Sequence, residues 1–306
     1  MVYYILRRLL YFIPTLIAIY TVAFLLIHAA PGSPFAQEKN LPPEVLATRR
    51  AEFHLDQPLW KQYALYGWDL LSLRGHTSMR YQDRNVIHDI LVPAFPVSLS
   101  LGVFALGLAV VVGTAAGVAS AARPRSAADY LAMAGAMIGI SQPSFVVASL
   151  LMALFAFTLR WLPVGGWGSP SQIVLPALAL AALPAAYIAR LVRTGMLEVL
   201  SADFIRTARA KGLAEGRVLL DHALPTAWLP VLGYLGPAAA AIFTGSFVIE
   251  KIFAIPGVGT HFVDSALHRD HPLILATLLL YAVLLVIFNL LVDIGYAWLD
   301  PRIRYE

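Results

Sequence analysis

Charged residues are absent from long intervals of this chain, and those intervals have the length of membrane-crossing helices. Leu9 to Ile27 carries no charge, Ile90 to Ala122 none between Asp89 and Arg123, and Tyr130 to Leu159 none between Asp129 and Arg160. A fourth interval lies between Arg160 and Arg190, with its helix expected over Ile173 to Ile188. His222 to Ile249 lacks carboxylates, lysines and arginines, and its span is expected to start near Ala227. The sixth runs from Pro272 to about Leu299, interrupted only by Asp293. A spanning helix needs roughly 20 mostly apolar residues. In lipid every backbone polar group must be satisfied internally, so such windows form helices and not open strands. The pattern predicts an all-α membrane protein of six transmembrane helices.

Composition agrees. Of 306 residues, 59% are hydrophobic and 13% charged, against roughly 25% charged in soluble proteins. There is no cysteine, which excludes disulfide frameworks, thiolate metal sites and thiol nucleophiles. The net charge of +4 would raise nucleic acid as a partner of a soluble protein. Here the basic residues lie between apolar runs, so they report membrane orientation and no nucleic-acid partner is expected. With a cytoplasmic N-terminus, the inside segments hold twelve lysines and arginines and the short outside loops hold three, Arg160, Lys251 and Arg269. Both termini are therefore expected in the cytoplasm of a cell whose cytoplasmic membrane holds the chain. Leu9 to Ile27 exceeds the usual hydrophobic core of a signal peptide, about 7 to 15 residues, so a retained span is expected.

The expected domains are a first helix over residues 1–30, an extracytoplasmic segment over 31–94, a transmembrane core over 95–299 with a cytoplasmic loop at about 191–226, and a tail over 300–306. In the extracytoplasmic segment, Leu41-Pro42-Pro43-Glu44 has the proline and early acid of a helix start. Trp60, Tyr63, Tyr66 and Trp68 suggest an amphipathic surface at the outer membrane face. Gly113 with Gly117, and Gly135 with Gly139, let helices approach closely. Pro143, Pro176, Pro184 and Pro237 are candidates to kink or interrupt their helices.

One cytoplasmic stretch is specific. It reads Ser201-Ala-Asp-Phe-Ile-Arg-Thr-Ala-Arg-Ala-Lys-Gly212 and ends His222-Ala-Leu-Pro225. Ser201 or Asp203 is expected to cap a short helix. Phe204, Ile205 and Ala208 are expected to share its apolar face, with Arg206 and Arg209 on a basic one. Gly212 suits the left-handed residue that ends a helix. A second short helix should run to Leu224, where Pro225 stops it. A basic amphipathic loop resting on anionic lipid is the plain alternative.

Ala208, Gly212, Leu224 and Pro225 resemble the EAA loop of binding-protein-dependent ABC importer permeases. Arg206, Thr207 and His222 depart from its general form, but Arg206 to Leu213 matches the peptide-permease branch. Ile5 to Leu10, Ala30 to Phe35, Trp161-Leu-Pro163, Gly245 to Gly259, Arg269-Asp270 and Leu299 to Tyr305 resemble the same branch. The resemblance implies a type I ABC importer permease bundle for peptides. It implies a second homologous permease subunit, two cytoplasmic ABC ATPases and an extracytoplasmic peptide-binding protein as partners. No cofactor is implied for this chain, since ATP and Mg would be bound by the partner ATPases. The implied coupling residues are Arg206, Thr207, Ala208, Arg209, Lys211, Gly212, Leu224 and Pro225. Dipeptide, nickel or glutathione cargo is a variant of the same reading.

No Gly-x-x-x-x-Gly-Lys-Ser/Thr is present, so the phosphate-cradling loop of a P-loop ATPase is missing, and the chain is not expected to be an enzyme. Asp293, inside the sixth run, is an intramembrane polar candidate; an ion-coupled secondary transporter would depend on it. His261, His268 and His271, with Asp264 and Asp270, match no closed zinc pattern, and no metal site is expected.

Overall fold

The computed structural model describes residues 2–32, 34–35, 42–81 and 83–299. Its helices are α1 (Val2–Ala29), α2 (Pro43–Glu52), α3 (Leu59–Leu71), α4 (Val92–Ala122), α5 (Ala127–Ser141), α6 (Ser144–Leu151), α7 (Pro170–Val199), α8 (Asp203–Ala210), α9 (Glu215–Arg217), α10 (Leu224–Ala227), α11 (Leu229–Ile252), α12 (Val258–His268) and α13 (His271–Leu299). Among the described residues the β structure is one isolated bridge, Thr77 to Asn85. The chain is an all-helical membrane protein.

Four continuous segments are long and apolar enough to cross a membrane: Leu10–Ala29, Val86–Ala122, Pro170–Val199 and His271–Leu291. Two further windows are bent pairs, Ala127–Ser141 with Ser144–Thr158 at 114°, and Glu215–Ala227 with Leu229–Phe243 at 59°. Counting each pair as one span gives the six expected windows. The 37 residues of Val86–Ala122 exceed the roughly 20 that a bilayer requires, so this helix projects beyond the hydrocarbon layer. It opens with a wide π turn, where Asn85 Oδ1 accepts from the amides of Ile87 and His88 at 2.9 and 3.0 Å.

Pro143 marks the first bend, but Pro176, Pro184 and Pro237 lie inside continuous helices. A proline removes one backbone donor; Pro176 and Pro184 are buried in α7, whereas Pro237 is exposed on α11. The second bend falls at Trp228, between α10 and α11.

The chain divides into two compact units. One comprises Met1–Ser98 and Pro256–Val286, the other Leu99–Ile255 and Ile287–Glu306. In the first, Tyr20, Ala23 and Phe24 of α1 pack with Tyr66 of α3 and Leu275 of α13. Tyr20 donates to the carbonyl of Tyr63 at 2.7 Å, and His28 Nε2 pairs with Gln62 Oε1 at 3.0 Å. The aromatic residues of α3 are therefore divided: Tyr66 is buried, while Trp60 and Trp68 are exposed at 72% and 64%. Asp270 organises the loops of this unit. Its carboxylate accepts from the Ser78 hydroxyl and from the amides of Arg80 and Leu273, both at 3.2 Å. Among the described residues, no three His, Asp or Glu side chains converge on a common point.

In the second unit, α4 and α7 touch at backbone distance. A Cβ on Gly113 would stand 2.6 Å from the Ala185 carbonyl, and one on Gly117 2.6 Å from Val192 Cβ. Gly139 of α5 likewise faces the Ala182 carbonyl at 3.1 Å, whereas Gly135 has open space. Three of the four small residues are thus packing contacts.

Candidate coupling site

The stretch after α7 folds as a helix, a tight turn and a second helical segment. Arg206, Thr207, Ala208 and Arg209 sit on α8, Lys211 and Gly212 in the turn, and Leu224 and Pro225 in α10. Gly212 adopts φ +78°, in the left-handed region that side chains with a Cβ avoid. Its amide donates to the Arg209 carbonyl at 3.0 Å.

One apolar core holds this elbow. Ile205 and Ala208 of α8, Val218, Ala223 and Ala227 are buried together with Ile188, Val192 and Met196 of α7 and with Ala109 and Ala121 of α4. Burying one aliphatic side chain of this size is worth about 1.5–3 kcal/mol, so the elbow is fastened to α7 and does not hang from it. Its cations face outward. Arg206 lies 3.3 Å from Asp203, both largely exposed. Arg209 donates twice to Glu215 across the turn, at 3.2 and 2.6 Å, and these bonds hold its guanidinium above the ordinary arginine range. Lys211 is exposed.

Three local expectations are corrected. Neither Ser201 nor Asp203 caps α8. Ala202 occupies the N-cap without a side-chain bond, and the Ser201 hydroxyl turns back to the Glu198 carbonyl at 2.7 Å. Phe204 is not on the buried face; it is 48% exposed, while Ile205 and Ala208, three apart, form the buried face of α8, which packs on Val218–Ala223. Pro225 does not end the second helix. It stands in the first turn of α10, where a missing amide hydrogen costs nothing, and helical structure continues to Ala227.

A residue pair that the sequence reading did not single out lies beside the elbow. Arg193 of α7 forms a two-pronged ion pair with Asp129 of α5 at 2.7 and 2.9 Å. The same carboxylate accepts from Ser120 of α4 at 2.5 Å and from the Arg125 amide at 2.8 Å. Four segments thus meet at one carboxylate, two helical turns before α7 delivers the chain to the elbow. Asp129 bounds an apolar window and Arg193 lies three residues past Arg190, which bounds another; their opposite charges were the available signal. The side chain of Asp293 lies outside the described residues, as does the tail beyond Leu299.

Comparison with known proteins fixes the context of this arrangement. Residues 109–305 match the family described as binding-protein-dependent transport system inner membrane component, and residues 1–102 match the N-terminal part of such membrane components. The chain belongs to this family. It is 47% identical to Oligopeptide transport system permease protein OppB of Haemophilus influenzae, with all of both chains covered. It is 48% identical to the protein of that name from Salmonella typhimurium, again over the whole of both. Dipeptide transport system permease protein DppB of Bacillus subtilis is 44% identical, with 98% of this chain and 97% of that one covered. Among solved structures, inward-facing MetNI methionine ABC transporter aligns with TM-score 0.55 and 18% identity, covering 69% of this chain and 96% of that one. A crystal structure of an amino acid ABC transporter with histidines aligns with TM-score 0.51, covering 67% and 92%. This likeness gives the ABC permease fold. As a multi-pass inner-membrane permease subunit of a binding-protein-dependent system, the chain works with ATPase and binding-protein partners, and ATP hydrolysis resides in the former.

Proposed function

We propose that this permease is one of two similar membrane subunits of an ATP-driven oligopeptide importer. Both of its termini and its elbow lie in the cytoplasm, where the elbow meets one of two ATPases. An extracytoplasmic binding protein delivers the peptide to the opposite side. Closure of the two ATPases around ATP would draw the elbows together, and α7, against which α10 packs at Gly195 and Ala227, would turn with them. Hydrolysis would reset the pair and release peptide inward.

The observation that carries the reading is the elbow itself: an apolar core shared with the end of α7, a glycine turn at φ +78°, and Arg206, Arg209 and Lys211 directed outward from it. A loop resting on lipid would present its apolar side to the bilayer instead. The full-length likeness to oligopeptide permeases at 47–48% identity supports the cargo over dipeptides. Ala208, Gly212, Leu224 and Pro225 set the elbow's shape, while Arg206, Thr207, Arg209 and Lys211 present the contact surface.

The test is reconstitution with partner subunits in proteoliposomes. Gly212→Asp is expected to abolish peptide-stimulated ATP hydrolysis and uptake while the complex still assembles. If both activities persist, the coupling assignment is wrong. Uptake of labelled peptides of graded length decides the cargo.

A further inference from the structure

The break between α5 and α6 has chemistry that the coupling role does not use. Ala127–Ser141 is 15 residues, or roughly 22 Å of helix. With Asp129 and Arg193 near one membrane edge, the break lies within the hydrocarbon layer of about 30 Å. There the chain leaves helical geometry: Gln142 is extended at φ −102°, ψ 131°, and Pro143 follows at φ −58°, ψ 144°. Pro143 has no amide hydrogen to give. The amides of Val146 and Val147 turn to its carbonyl, at 3.0 and 3.2 Å, to begin the next helix.

Non-helical backbone at this depth is tolerated only when buried in protein or lining a water-filled cavity. Ser141, Gln142 and Pro143 are exposed on this chain. The break borders a cavity of about 300 Å³ lined by Ser141, Gln142, Ser144, Leu180, Pro184 and Ala241 among others, none of its lining residues charged. The Ser141 hydroxyl donates a hydrogen bond to the Met137 carbonyl at 2.7 Å. Among the described residues, the Gln142 carboxamide and the Ser144 hydroxyl have no hydrogen-bond partner.

We propose that this broken helix is a peptide-backbone binding site on the translocation path, with Gln142 as its principal contact. A carboxamide both donates and accepts, which matches the one amide and one carbonyl that each residue of an extended peptide presents whatever its side chain. Ser144 adds a second contact. The volume stands at the lower end of small-molecule sites, about 300–1,000 Å³, so it takes one or two peptide residues at a time. Leu180, Pro184 and Ala241 give uncharged walls that accommodate varied side chains. Main-chain hydrogen bonding of this kind supplies affinity without sequence selection.

The inference rests on the peptide-importer reading, and the experiment separates the two. The chain has no cysteine, so Gln142→Cys introduces a single thiol. In the complete reconstituted transporter, a water-soluble thiosulfonate should label Cys at this position. A saturating pentapeptide delivered by the binding protein should slow labelling by about tenfold, the occupancy effect of binding at roughly ten times Kd. Leu150→Cys, on the exposed face of α6, should label poorly and show no peptide protection. Gln142→Leu should raise the peptide concentration needed for half-maximal uptake severalfold. A thiol at 142 that is unreactive, as it would be against lipid or the second permease, overturns the site. So does one that reacts without protection. Failure of the unaltered transporter to take up any peptide overturns the importer reading instead.

Discussion

Arg193 holds Asp129 with two parallel hydrogen bonds, at 2.7 and 2.9 Å, and thereby ties α7 to the start of α5. The carboxylate side chain is only 4% exposed and the guanidinium 28%. Removing one partner leaves the other charge poorly solvated, which costs far more than the intact pair contributes. Asp129→Ala and Arg193→Ala should each lower the thermal unfolding midpoint in detergent by several degrees. The double variant should be no worse than the poorer single, because neighbours in one network are not additive. Additive losses would show that the two act separately.

Gly212 is a conformational requirement and not a packing one. A Cβ there meets nothing within 4 Å, but φ is +78°, and a left-handed residue with a Cβ costs roughly 1–2 kcal/mol. Gly212→Ala should lose about that much stability by denaturant titration, and Gly212→Asn less, since Asn visits this region readily. Equal losses from both would point to a steric cause.

Ile205 and its neighbour Phe204 should behave oppositely. Ile205 is fully buried in the elbow's core, and Ile205→Ala should cost about 2–5 kcal/mol. Phe204, 48% exposed, should lose less than about 0.5 kcal/mol on truncation. Thermal denaturation of the two variants side by side checks this.

The α4–α7 contact makes a parallel contrast among glycines. Gly113→Val forces a side chain against the Ala185 carbonyl and Ile188, and overpacking of this kind costs typically about 1–3 kcal/mol. Gly107, six residues earlier on α4, has open space; Gly107→Ala should be neutral or gain up to about 1 kcal/mol, since alanine favours a helix interior. Detergent-solubilised yield and unfolding midpoint report both.

Much of this was legible along the chain because lipid leaves few options. The six apolar windows became helices or bent helix pairs, the proline–glutamate start of α2 stands at Pro43, and Gly212 takes the turn that its type favours. What was not legible depends on tertiary choice. Four prolines had equal standing in the sequence, yet of these only Pro143 breaks its span; Pro176 and Pro184 are buried within α7 and Pro237 lies exposed within α11. Phe204 and Ile205 are equally apolar, and only the packing of α8 on Val218–Ala223 determines which one is buried. Asp129 and Arg193 are 64 residues apart; the first bounded a window, the second was one of several cations beyond another, and only the packing of α5 on α7 pairs them. The unpartnered carboxamide of Gln142 had no signal beyond its place next to a proline.

The account depends on the elbow facing the ATPases. Lys211→Cys gives a single exposed thiol at its tip, and an impermeant maleimide applied to oriented membrane vesicles reads its side directly. Labelling is expected in inside-out vesicles only, and should be suppressed when the ATPase subunits are bound. Labelling from the outer face of right-side-out vesicles, or labelling indifferent to the ATPases, would contradict it.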